Sequence, residues 1–97
     1  MTQEAFPEPL GYLPYMFSSR DPRPAREQAD SNYAHGGGWR PMRGWTMLDG
    51  DTLQYPGDPP LKPVAQTKLR EELILVYPHA FIAIVQPDGS FEVARMD

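Results

Sequence analysis

The chain contains no cysteine. Disulfides, cysteine-ligated zinc, iron–sulfur clusters and thiol catalysis are therefore excluded. A domain this small without disulfides depends on its hydrophobic core or on assembly, which points to a reducing compartment. Positive charge is also in short supply: 9 Lys and Arg face 13 Asp and Glu, for a net charge of −4. Whole-molecule attraction to nucleic acid or to an anionic membrane is disfavoured by that balance. Long apolar runs are missing too. The longest, Leu73 to Val85, is interrupted by Pro78 and His79 and is too short to cross a bilayer. The first residues, Thr2-Gln3-Glu4 leading to Pro7, offer neither a basic n-region nor an apolar h-region. The expectation is a soluble, cytoplasmic protein with no membrane partner.

Proline and glycine are abundant, at 12 and 8 of 97 residues. That share is below the level of low-complexity chains, yet it leaves little room for long helices. Residues 1–19 carry Phe6, Tyr12, Tyr15 and Phe17 among Pro7, Pro9 and Pro14. So much apolar surface is unusual for a disordered tail. The segment reads as an extended arm packed on a single domain spanning 1–97, or on a neighbouring chain.

A helix is expected over about residues 22–34. Ser18, Ser19 and Asp21 are N-cap candidates, and Pro22 or Pro24 suits a first turn that lacks donors. Ala25, Ala29 and Tyr33 recur at helical spacing, and Gly36 to Gly38 supply a stop. Beyond Arg43 the pattern turns to strands. Residues 45–48 and 52–55 flank Asp49-Gly50-Asp51 as a hairpin. Residues 56–63 hold four prolines and read as a stiff connector with almost no regular pairing. Residues 64–72 fit helix or strand, with strand favoured because a short turn at Glu71-Glu72 completes a meander. Residues 73–77, 81–86 and 91–95 are strands, the last two joined by a turn at Gln86-Pro87-Asp88-Gly89-Ser90.

The runs 73–77 and 81–85 are apolar at almost every position, so both faces of these strands should be covered. One helix and an arm leave part of that surface over, which suggests a homodimer or another partner. The fold class expected is α+β: one short N-terminal helix packed on a small antiparallel sheet, a meander of about five or six strands.

Candidate chemistry is sparse. His35-Gly36-Gly37-Gly38-Trp39 resembles the HGGG oxyanion-hole segment of the α/β-hydrolase esterases. The likeness stops there: no Gly-x-Ser-x-Gly elbow follows, and the chain is too short for the doubly wound sheet, so esterase chemistry is rejected. Asp49-Gly50-Asp51 opens like a calcium loop but lacks the later ligands. His79, after Pro78 in the apolar run, reads as a partly buried histidine. A small enzyme built on His79 or His35 would need a neighbouring carboxylate, and ranks behind binding functions. No cofactor and no metal is expected.

The stronger signal lies between Arg20 and Trp45. Five arginines (20, 23, 26, 40 and 43) outnumber three acids there, and Trp39-Arg40-Pro41-Met42-Arg43-Gly44-Trp45 interleaves arginine with tryptophan. Such planes suit a protein hot spot, or base stacking and phosphate contact. Strand alternation from Trp39 would place Trp39, Pro41, Arg43 and Trp45 on one face, with Arg40 and Met42 on the other. The expected function is a non-enzymatic interaction module, an adaptor, inhibitor or accessory protein, with Tyr33, Trp39, Arg40, Arg43 and Trp45 as partner-binding residues. A nucleic-acid-binding domain using the same segment is the alternative.

Overall fold

The computed structural model describes residues 17–32 and 39–96. Tyr33, His35, the Gly36 to Gly38 stop and nearly all of the 1–19 arm lie outside them. Among the described residues seven strands follow one α-helix: α1 (Ala25–Asn32), β1 (Trp39–Met42), β2 (Thr46–Leu48), β3 (Thr52–Gln54), β4 (Ala65–Leu69), β5 (Glu72–Val76), β6 (Phe81–Val85) and β7 (Phe91–Met96). Five of them form one antiparallel sheet in the order β1-β7-β6-β5-β4, and β2-β3 is a separate two-stranded sheet. The protein is thus mostly antiparallel sheet with one short helix. The α+β expectation is met in that coarser form. The meander is confined to β4–β7, the 45–55 hairpin stands apart from the main sheet, and β1 brings the strands to one more than expected.

Both faces of the central strands are covered, by different elements. Ile74, Val76, Ile82 and Ile84 pack with Ala25 and Ala29 of α1 on one face. Leu75, Tyr77, Ala83 and Val93 pack with Leu53 of the hairpin on the other. The continuous apolar runs follow from this, since consecutive side chains enter opposite cores. The cover that sequence reasoning sought in a second chain is supplied largely by β2-β3. Tyr77 fixes it there, its buried hydroxyl donating to the Asp51 carbonyl at 2.7 Å. Burial first, and the nearby Asp51 charge second, push the Tyr77 hydroxyl well above the usual tyrosine range, so it stays a donor.

The helix is shorter than expected because Pro22 and Pro24 delay its start to Ala25. Eight residues are too few for independent stability, so tertiary contacts must hold them. Glu72, on the helix-facing side of β5, accepts the Ala25 N–H at 2.8 Å through one carboxylate oxygen and the Gln86 side-chain amide at 2.9 Å through the other. Gln28 is fully buried. It accepts the Ser18 N–H at 2.7 Å and donates to the Arg23 carbonyl at 2.9 Å. The Arg70 guanidinium donates to the Asp21 carbonyl at 2.7 Å and also to that of Arg23. Arg26 of α1 pairs with Glu92 of β7 at 3.3 Å.

Asp21 stands at the head of this network. Its carboxylate accepts both the Arg23 guanidinium, at 2.6 Å, and the Arg23 N–H, at 3.0 Å. The side-chain bond to Arg23 is the main reason its pKa falls to about 2 from an ordinary 3.8. A depressed carboxyl stabilises the fold above its unfolded pKa, and that contribution disappears as pH drops toward the folded value. Thermal melts between pH 5 and pH 2 should therefore show wild type losing more stability than Asp21→Asn. Equal losses would remove Asp21 from the acid limb.

The β5–β6 connection corrects the reading of His79. Pro78, His79 and Ala80 form a tight turn in which His79 and Ala80 both have φ of 66°, and His79 is exposed rather than tucked into the apolar run. A left-handed alanine is strained, and glycine is not. Ala80→Gly is expected to raise stability by about 0.5–1 kcal/mol, read from chemical denaturation midpoints. The 56–63 connector also pairs more than expected: Leu53 and Leu61 exchange two backbone hydrogen bonds, of 3.0 and 2.8 Å.

Candidate functional site

The interleaved arginine–tryptophan segment does not run as one strand. β1 ends at Met42, and the chain turns at Gly44, whose φ is 91°. Trp39, opposite Met96, packs on the helix side of the sheet, whereas Trp45 joins the hairpin-side cluster with Met42. The expected sharing of one face by Trp39 and Trp45 is thus corrected: the turn at Gly44 breaks the alternation and brings Trp45 across. Both indole N–H groups are shielded from solvent and have no hydrogen-bond partner among the described residues. The two rings are held by packing alone.

Trp45 sits between two other rings, 5.2 Å from Tyr55 and 5.3 Å edge-to-face from Phe81. Gly44 makes room for this arrangement. A Cβ there would lie 2.9 Å from Tyr55 Cε1, on a backbone that L side chains rarely adopt. Gly44→Ala is expected to cost about 1–2 kcal/mol from the positive φ alone. Displacement of Tyr55 should also change the near-ultraviolet circular dichroism of Trp45. An unchanged aromatic spectrum would contradict the packing described.

Arg43 is exposed beside Trp45, and together with Met42, Phe91 and Glu92 they line a groove of about 460 Å³. Phe91 begins a row that crosses the sheet. Register places Phe91 opposite Val85, Val85 opposite Leu73, and Leu73 opposite Lys68. Phe91, Val85 and Leu73 all belong to the hairpin-side face, and each remains half-buried. At its far end the row meets a second groove of about 430 Å³, lined in part by Lys68, Leu73 and Val85. The outcome is an apolar strip from Trp45 to Leu73 with a cationic side chain at each end.

Of the residues singled out in sequence, Arg43 and Trp45 come together at this strip. Arg40 lies farther along β1 on the same face, directly opposite Arg95, which in turn faces Phe81. Trp39 is on the far side of the sheet, and Tyr33 is outside the described residues. Sequence reasoning missed Leu73, Val85 and Phe91, which read only as core. The usable signal was the uneven size of the cover: a short hairpin cannot span a five-stranded sheet.

Catalytic geometry is a separate matter. His79 makes an edge-on contact with Phe81, at 6.4 Å, and no hydrogen bond to a carboxylate among the described residues. The acids nearest the helix start are engaged in structure, Asp21 with Arg23 and Glu72 with Ala25 and Gln86. Among the described residues no three His, Asp or Glu side chains converge to hold a metal. None of their helices is long and apolar enough to cross a membrane. Comparison with protein-family models, with curated proteins and with solved structures finds no match to this chain.

Proposed function

We propose that the chain is a small α+β interaction module that binds another protein through the strip running from Arg43 and Trp45 across Phe91 and Val85 to Leu73. The observation that supports this is the cross-strand row of three half-buried apolar side chains at the margin of the hairpin-side cluster. Its composition is that of a hot spot: a packed tryptophan, an exposed arginine, and an apolar centre with a polar rim. Beyond Met42 the β1 ladder ends while β7 continues to Phe91, so an extended segment has sheet edge as well as side chains to engage. The partner chemistry that fits is an extended apolar peptide segment carrying acidic residues toward the Arg43 and Lys68 ends. The working role is accessory or inhibitory, and no catalysis is invoked.

The test is recovery of bound protein on wild type, on Arg43→Glu and on the control Arg20→Glu, whose charge change lies in the segment before α1. Binding kept by Arg20→Glu and lost by Arg43→Glu supports the reading. Equal recovery on all three overturns it.

One arrangement favours the nucleic-acid alternative, the cross-strand sequence Arg40, Arg95, Phe81 on the same face. Arginines beside an aromatic plane suit phosphate contact with base stacking. That alternative requires binding to single-stranded RNA or DNA that weakens steeply with added salt. Absence of binding at low salt would dispose of it.

A further inference from the structure

The two outer edges of the main sheet are not equivalent, and their backbone directions can be read from the hydrogen bonds. Tyr77 N–H donates to the Phe81 carbonyl at 2.9 Å, so Tyr77, just past β5, and residues 73 and 75 within it face β6. Residues 72, 74 and 76 then face β4, where they meet Leu69, Thr67 and Ala65. The N–H and C=O groups of Gln66 and Lys68 consequently point away from the sheet. At the opposite edge, the Gln86 N–H to Ser90 carbonyl bond of 2.8 Å sets the phase of β7. There Arg40 and Met42 face β7, so the outward positions of β1 are Trp39 and Pro41. Proline has no N–H to offer, and an outward proline is a standard means of closing an edge. β1 is blunted in this way and β4 is not. Among the described residues nothing pairs with the outer side of β4.

We infer that the β4 edge is a self-association site, at which a second copy of this chain pairs antiparallel with β4 about a two-fold axis at Thr67. This register follows from charge and from the available backbone groups. An axis at Lys68 would set two like charges directly opposite each other. An axis at Gln66 would pair Lys68 with Val64 of the second copy, whose N–H is already committed to the Val76 carbonyl at 2.7 Å. The axis at Thr67 pairs each Gln66 with the second copy's Lys68. It engages both outward N–H and both outward C=O groups of each chain, and sets Ala65 against Leu69 on the helix side. Val64, 56% exposed, stands immediately beside the seam. A five-residue edge buries little surface, so the dimer is weak and concentration-dependent.

Sedimentation equilibrium of the full chain over a wide concentration range reads this directly, with three variants at one position. Gln66→Glu places a carboxylate against the second copy's Lys68 twice over, and should lower the dissociation constant about fivefold. Gln66→Lys should raise it by about the same factor. Gln66→Pro deletes an outward N–H that makes no bond among the described residues, and should leave a monomer whose melting temperature matches a dilute wild-type sample. A protein that stays monomeric at every concentration overturns the inference. So does a dimer whose dissociation constant is indifferent to Gln66→Glu and Gln66→Lys. Gln66 and Lys68 line the groove at the Leu73 end of the strip, so the strip is tested separately, by Arg43→Glu at its other end, and a monomeric result here leaves that reading standing.

Discussion

A Glu72→Ala variant is expected to melt about 10–20 °C below wild type, the largest single loss available outside the apolar core. Glu72 is one of three buried polar side chains among the described residues, and both of its carboxylate oxygens are engaged. Alanine removes two hydrogen bonds to a charged acceptor, each worth about 1.5–3 kcal/mol. It also strands the Ala25 N–H at the start of a helix that has no stability of its own, and strands the Gln86 amide. The site does not collapse around the gap, because Glu72 sits on a strand held on both sides. Glu72→Gln keeps one acceptor oxygen and most of the volume, so it should lose less than half as much. If alanine and glutamine cost the same, charge rather than hydrogen bonding holds the helix start. If neither costs more than about 0.5 kcal/mol, as for an ordinary surface change, α1 is held by Ala25 and Ala29 alone.

Trp45→Ala is expected to weaken binding of the partner at least about thirtyfold, the size of a hot-spot truncation. Trp45 also joins Tyr55 to Phe81, so some loss of stability accompanies the change. Arg43→Glu separates the two effects. Arg43 is exposed, and its replacement should leave the melting temperature almost unchanged while weakening binding about tenfold. Loss of binding confined to Trp45→Ala, with Arg43→Glu intact, would reduce Trp45 to a structural role.

How much of this was legible in sequence differs sharply between local and non-local features. The turns were legible, because Asp49-Gly50-Asp51 and Pro87-Asp88-Gly89 state their backbone requirements in residue types. So were β5, β6 and β7, whose lengths are bounded by Pro78 and Pro87, and β4, where the short-turn argument decided an ambiguous segment, although the turn falls at Arg70 and Glu71 and Glu72 already belongs to β5. The helix start was misplaced by three residues because Pro24 tolerates a first turn but does not require one. The placement of Trp39 and Trp45 was not legible. It depends on a single positive φ at Gly44, and a glycine in a strand pattern does not say whether the chain bulges, kinks or turns. The buried pair Gln28 and Glu72 was invisible for another reason. Both look like surface residues of a helix or strand: Glu72 is shown to be an internal cap only by its bond to Ala25, far away in sequence, and Gln28 only by the fold of the segment before α1 around it. The strip was hidden for the same reason, since apolar residues at a sheet's uncovered end are indistinguishable in sequence from those at its covered centre.

The most direct measurement is site-specific photo-crosslinking in the native cellular setting. A photo-reactive residue is placed at position 43, at the edge of the groove, or at position 20, in the segment before α1. The strip reading predicts one discrete cross-linked protein species from position 43, abolished by the additional change Leu73→Ser, and none from position 20. Equal products from the two positions, or a product from position 43 that survives Leu73→Ser, would contradict it.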